Sequence, residues 1–329
     1  MPIVIDHTAH PHIIDAIIGA CDTPTAIAFR STSRAFRDKI DPMLLAHVLL
    51  YAPAPDPVPS IQHLNRIKGL VRPSEVVDPE VEGAPPPPLL PFVPGAIRAI
   101  DVNTENEYTP EFARKLTGVR TVRRSNDAVW STPPPFDGIT MVDFVSLYGG
   151  LYQDLGPFWF LETYVIHIRW DESERQEIFA EIDATPMKQA CMSLMVLVLE
   201  PWSPGRPPVC TPDLTFLSNI AVGMLSVLEW GGTLCIVGAD DVSPLNMGAE
   251  ADDEDEDDAH PVTMFEDMLL GFWRDSENAP PEDHLVRLLA DVEFVSLAEW
   301  HESLRQRGRD EDGLDVYELL AEWPRYARP

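Results

Sequence analysis

Proline placement constrains this chain more than any other feature. Twelve of its 33 prolines lie between Pro53 and Pro94, four of them consecutive at Pro85 to Pro88. Proline lacks an amide donor and has a fixed φ, so such a stretch supports neither regular helix nor central strand. It predicts an extended, partly polyproline linker over 53–94, interrupted by a short helix around Ile61 to Leu70. A spacer between two domains explains it more simply than a ligand for an aromatic groove does. The 329 residues then divide into a small module over 1–52 and a larger unit over 95–329.

The first 50 residues predict three short helices, each opening on a proline at its first position, Pro11, Pro24 and Pro42. Thr23 and Asp41 precede the second and third prolines and make suitable N-caps. The first helix carries an apolar stripe of Ile14, Ile17, Ile18 and Cys21. The second presents Ala26, Phe29, Ser33 and Phe36 opposite Arg30, Arg34 and Arg37, and the third presents Leu44, Leu45, Val48 and Leu49. Helices this short need one another, or a further surface, to bury their faces.

Downstream of the linker the pattern changes to short apolar segments of strand type. They fall at Ala96 to Val102, Val119 to Arg123, Thr140 to Phe144, Tyr164 to Trp170, Leu194 to Glu200, Thr233 to Gly238 and Val292 to Ser296. Several are apolar on both alternating sets, as in strands covered on both faces. Helical segments at Glu111 to Leu116, Leu214 to Trp230, Val262 to Trp273 and Leu297 to Arg305 separate some of them. The early strand centres are about 21 to 25 residues apart, and the interval then widens. That spacing falls within the leucine-rich-repeat range of roughly 20 to 29 residues. Ala113 to Val122 has the form of one such unit, a helix feeding a strand, without the asparagine or cysteine ladder position. The expected fold class is therefore α/β, a mainly parallel sheet that is irregular and leucine-rich-repeat-like or open, preceded by a small all-α helical module.

Charge excludes several functions. The chain has 54 acids against 24 bases, a formal charge of −30. Nucleic acid and anionic membrane surfaces reward clustered Lys and Arg, so neither is an expected partner. Residues 1–130 hold 13 bases and 15 acids, so nearly all the excess acid lies downstream. Eight acids crowd into Glu250 to Asp258, within an acidic loop over 249–259. Such a block repels itself and is expected to be solvated, and it lacks the alternation and glycine of a calcium loop. The densest apolar run, Met192 to Leu199, is half a membrane span, and Met1 to Ala20 carries no basic leader. Cys21, Cys191, Cys210 and Cys235 are scattered and fit free thiols. The expected location is cytoplasmic, nuclear or both.

Signatures of chemistry are sparse. The chain has no glycine-rich phosphate loop, no dinucleotide-binding turn, no nucleophile elbow and no H-E-x-x-H pair. His7, His10 and His12 beside Asp6 are metal-ligand types, but no regular spacing directs all three at one point across a helix start. His167 and Arg169 share one face of a strand, where such a pair either binds an anion or bonds to a neighbouring strand, the commoner case. Leu225 to Val237 resembles the helix, Gly-Gly turn and strand late in class I methyltransferases, which bind S-adenosylmethionine, but the glycine motif of that family is absent. Helix, Gly-Gly and strand is also generic turn chemistry. No catalytic residue, cofactor or metal is expected from these residues.

The first 50 residues resemble an F-box, specifically the divergent F-box-like modules of fungal proteins. The resemblance rests on Ala9 to Ile18, on Asp22-Thr23-Pro24 and on Ala28 to Arg37. Ile13, Ile14, Ile17 and Ile18 match the first helix of the family pattern, and Phe29, Ser33, Arg34 and Phe36 the second. Ala9, His10 and His12 stand where that pattern has Leu, Pro and Glu. The resemblance implies a substrate-recognition subunit of an SCF-type cullin–RING ubiquitin ligase, with catalysis in other subunits. It implies adaptor binding through Pro11, Ile13, Ile14, Ile17, Ile18, Phe29, Ser33 and Phe36. The α/β unit would then present a surface to a protein target, and its acidity suits a basic one. The alternatives are an F-box-like scaffold that no longer binds the adaptor and an α/β enzyme resembling the methyltransferases.

Overall fold

The computed structural model describes residues 10–21, 23–51, 69–71, 95–102, 116, 118–125, 138–147, 152–154, 160–170, 181–183, 191–201, 217–242, 260–276, 279–311 and 313–324. Three helices open the chain, α1 (Pro11–Gly19), α2 (Thr23–Thr32) and α3 (Arg34–Leu45). They close around Ile14, Ile18, Ala26 and Ile40, with Phe29, Phe36, Cys21 and Leu44 packed against these. The Phe29 and Phe36 rings lie 5.6 Å apart.

The helix boundaries differ from expectation, and the side chains explain why. The second helix stops at Thr32 instead of running to Phe36. Ser31 and Thr32 hydroxyls donate back to the carbonyls of Ala28 and Phe29, and Ser33, in extended backbone, caps α3 by accepting from the Phe36 amide. Such local bonds compete with helix continuation. Asp41 is therefore no N-cap but sits inside α3, paired with Arg30. Pro42 also lies inside α3 and does not open it. Ile17, expected in the buried stripe, is 41% exposed.

The chain then enters a sheet earlier than expected. His47 to Tyr51 is not helix but strand β1, so Val48 and Leu49 belong to the sheet and the segment over 1–52 is not all helical. Strand β2 (Gly69–Val71) pairs antiparallel with it, which makes Gly69 and Leu70 strand, where the end of a linker helix was expected. The remainder of 53–94 and the acidic loop at 249–259 lie outside the described residues, as do Cys210 and most of the helix expected at Glu111 to Leu116.

All seven expected strands are present, as β3 (Ala99–Val102), β4 (Thr121–Ser125), β5 (Ile139–Leu147), β7 (Phe160–Trp170), β9 (Cys191–Pro201), β10 (Thr233–Val237) and β11 (Val292–Val295). With β1 and β2 they form a nine-stranded sheet in the order β11-β10-β9-β7-β5-β4-β3-β1-β2. Every pairing except that of β1 with β2 is parallel. The widened strand interval also has a cause. Two short strands, β6 (Tyr152–Asp154) and β8 (Glu181–Asp183), interrupt the series and pair with each other in a separate sheet.

The eight parallel strands follow one another across the sheet in chain order, antiparallel β2 alone lying on the far side of β1, and right-handed crossovers between such strands return on one side. Helices α4 (Leu217–Glu229), α5 (Pro261–Arg274) and α6 (Glu282–Ala290) accordingly share the face built by Val48, Ile100, Val122, Met141, Ile166, Leu197 and Ile236. The last two helices, α7 (Leu297–Arg307) and α8 (Val316–Leu320), go to the opposite face. There Trp300, Leu304, Ala321 and Trp323 cover Val142, Phe144, Val165, Val198 and Val237. Among the described residues, no helix is long and apolar enough to cross a membrane.

Candidate functional site

The two faces of the sheet differ in chemistry. The α4–α6 face is apolar except where Arg124 meets Asp143. The α7–α8 face carries a strip of charged and imidazole groups, and the period of two in the strands builds it. Asp101 on β3 sits beside Arg123 on β4 in register. Phe144 on β5 sits beside His167 on β7, and Arg169 on β7 beside Glu200 on β9. His47, two residues before the partner of Asp101, falls on the same side.

One half of the strip centres on His47. Its Nε2 lies 2.7 Å from the Asp101 carboxylate and its Nδ1 3.2 Å from Glu318 on α8. Arg123 lies 3.5 Å from Asp101, donates to the Glu322 carbonyl at 2.5 Å and places its guanidinium 5.0 Å from the centre of the Phe144 ring. The other half centres on His167, which is fully buried. Its Nε2 lies 2.6 Å from Glu200, and Arg169 donates to the same carboxylate at 2.7 Å. Trp300 and Trp323 meet the His167 ring edge-on at 5.9 and 5.5 Å. The Arg169 guanidinium lies 4.5 Å over the Trp323 ring.

The two histidines are in opposite charge states. Burial disfavours charge on His47, but Asp101 and Glu318 outweigh burial and the repulsion of Arg123, raising its pKa to about 9. Burial pushes His167 below its usual range despite the adjacent Glu200, so it is neutral at pH 7. Burial also opposes ionisation of Glu200, yet the His167 hydrogen bond and the Arg169 charge hold its pKa at about 2. An ionised Glu200 needs a donor, which places the His167 proton on Nε2 and leaves Nδ1 bare.

These states give a pH prediction. The folded pKa of His47 lies above its unfolded value of 6.5, so its contribution is full below 6.5 and is lost as pH rises through about 9. Glu318, held below 4.5 by the hydrogen bond from His47, contributes above that pH and loses its contribution as the medium becomes more acid. The stability advantage of the wild type over His47→Gln should shrink by about 3 kcal/mol between about pH 6.5 and about pH 9.5. Urea unfolding at the two pH values measures it. A pH-independent difference would mean that His47 is not charged in the native state.

The other candidates have structural roles or stand apart. Cys235, on the same face, is held as a thiol by burial and by Glu293, with its pKa pushed up to about 12, so it is not a poised nucleophile. His10 and His12 are exposed with ring centres 6.4 Å apart, and His7 and Asp6 lie outside the described residues. Among the described residues no three metal-ligating side chains come together. The Gly-Gly turn ends α4. Gly231 is left-handed at φ +78°, and a Cβ on Gly232 would press 2.8 Å from the Met192 carbonyl. Cofactors in open α/β sheets bind where the strand order reverses, and in the described sheet the order reverses only at β1, which lies between antiparallel β2 and parallel β3.

Of the residues expected to meet an adaptor, Pro11, Ile13 and Ile17 are exposed, Ile14 and Ile18 are buried, and Phe29, Ser33 and Phe36 are half-buried. Strand alternation in the sequence singles out His167 and Arg169 but not Glu200, Arg123, Asp101, His47 or Trp323. A signal for one of them existed: Asp101 sits between Ile100 and Val102 in an apolar strand segment, and a buried charge must find a partner. Compared with known proteins, the chain matches no family model, no curated protein and no solved structure.

Proposed function

We propose that this protein is a target-recognition subunit of an SCF-type ubiquitin ligase, docking the ligase adaptor through its N-terminal helices and a protein target through its α/β unit. The observation that carries the reading is the division of labour on α1. Ile14 and Ile18 turn into the small core of the three helices, while Ile13 and Ile17, one turn apart, stay 48% and 41% exposed. Ile27 on α2 and Met43 on α3 are exposed as well. Four of the six large exposed hydrophobic residues among the described residues thus belong to these three short helices. Exposed apolar side chains concentrated on one small unit favour a partner surface. A relic retained as packing would instead bury Ile17 and Phe36 against the sheet. Phe36 packs within its own three helices.

The eight parallel strands of the sheet lie side by side in chain order, with β2, β6 and β8 outside that series, and this order supports the leucine-rich-repeat-like reading of the larger unit. The test is a titration of the full chain with the ligase adaptor. Micromolar or tighter binding is expected, and no binding would remove the receptor reading. Ile17→Asp should weaken adaptor binding at least tenfold while changing stability by under about 0.5 kcal/mol, as exposed positions do. An unchanged affinity would take α1 out of the interface.

A further inference from the structure

The stretch after α7 covers charged and imidazole groups as well as the apolar side chains of its cluster. Helices on the opposite face meet the sheet almost wholly through apolar side chains. Residues 314–323, in contrast, lie on His47, Arg123, His167 and Arg169. Their polar contacts with the strip are three, the Glu318 carboxylate on His47, the Glu322 carbonyl on Arg123, and the Trp323 indole between His167 and Arg169, beside the apolar packing of Ala321 and Trp323. The segment adds no strand to the sheet. It is a helix of five residues anchored by an isolated bridge between Arg309 and Asp315.

The fit is also incomplete. Trp323 aims its indole N–H at His167 Nε2, 3.4 Å away, but that nitrogen carries the proton given to Glu200 and cannot accept. His167 Nδ1 and Arg123 Nε are buried with no hydrogen-bond partner among the described residues. The strip therefore offers an acceptor and a donor that its own cover leaves unused, and buried polar groups of this kind are costly.

We infer that residues 314–323 are an internal ligand of the target-binding face, and that the target is a peptide segment with the same chemistry, a carboxylate followed about five residues later by a tryptophan. This rests on the receptor reading only in taking the competitor to be a protein segment. The expected target segment carries one carboxylate in the place of Glu318 and an aromatic side chain in the place of Trp323, because Asp101 and Glu200 already face the guanidinium groups of Arg123 and Arg169.

The probe is a labelled synthetic peptide of residues 313–324, titrated into the full chain and into its Trp323→Ala variant. The variant should bind the peptide at least tenfold more tightly than the wild type, and a peptide carrying Trp323→Ala should lose at least tenfold. A folded variant that does not bind the peptide overturns the inference. If the variant fails to fold, hydrogen exchange on the wild type decides. Leu319 and Ala321 amides exchanging at least a hundredfold faster than those of β7 and β9 support a displaceable segment, and equal rates overturn it. Neither readout involves the N-terminal helices, so loss of adaptor binding and loss of peptide binding remain separate results.

Discussion

Asp143→Ala is expected to cost about 3–5 kcal/mol, because it leaves the Arg124 charge buried without its carboxylate. Arg124 and Asp143 face each other in register on β4 and β5. Arg124 donates twice to the carboxylate, at 2.6 and 2.5 Å, and the Tyr164 hydroxyl donates to it at 2.5 Å. Neither charged side chain is more than 1% exposed. Burial, with the adjacent Asp143 charge, raises the Tyr164 pKa well above its usual value, so the phenol stays a donor. The cost belongs to the broken arrangement and not to the presence of the pair. Replacing all three groups together, Arg124→Met, Asp143→Leu and Tyr164→Phe, should therefore destabilise less than Asp143→Ala alone. Urea unfolding at pH 7 gives both numbers, and a single-variant loss below about 1 kcal/mol would contradict the account.

Trp273→Ala should be comparably severe, with a loss of about 3–5 kcal/mol from the cavity left by a large buried side chain. Trp273 is fully buried on α5, and its indole N–H donates to the Ala221 carbonyl of α4 at 2.7 Å. The ring fixes the two helices to each other above the sheet. Trp273→Phe retains much of the volume but not the bond, so it should fall between the wild type and Trp273→Ala. Equal losses for Phe and Ala would assign the effect to the hydrogen bond and not to the packed volume.

Both variants act on the face away from the polar strip. They should lower global stability without selectively weakening the contacts of Trp323. His47→Gln and Trp323→Ala act on the strip itself, so the two sets separate damage to the scaffold from damage to the recognition face.

The strands were legible because each is a short apolar run whose alternation survives any tertiary context. That alternation also put Val165, His167 and Arg169 on one side and Tyr164, Ile166 and Ile168 on the other, as the two cores confirm. Helices α4, α5 and α7 were legible from their apolar period. The first turn of β1 was not. Val48, Leu49 and Leu50 continue an apolar run out of α3, and a run that short suits helix or strand equally. Pairing with β3 decided it. Helices α6 and α8 are not legible for a related reason, being nine and five residues long, too short to show a period over several turns.

Sequence by itself determined the parallel α/β class, the position of seven strands, the α-helical start and the acidic balance. These depend on local period, backbone chemistry and counting. Only the tertiary structure decided the partners of the charges. Arg123 and Arg124 are neighbours in the chain, and alternation sends them to opposite faces. Nothing local says that one will meet Asp101 and the other Asp143, which lie 22 and 19 residues away. The same holds for the segment ending at Trp323, which reaches His167 across 156 residues of sequence. Local rules fix which side of a strand a group faces, but what covers that side depends on the path of the whole chain.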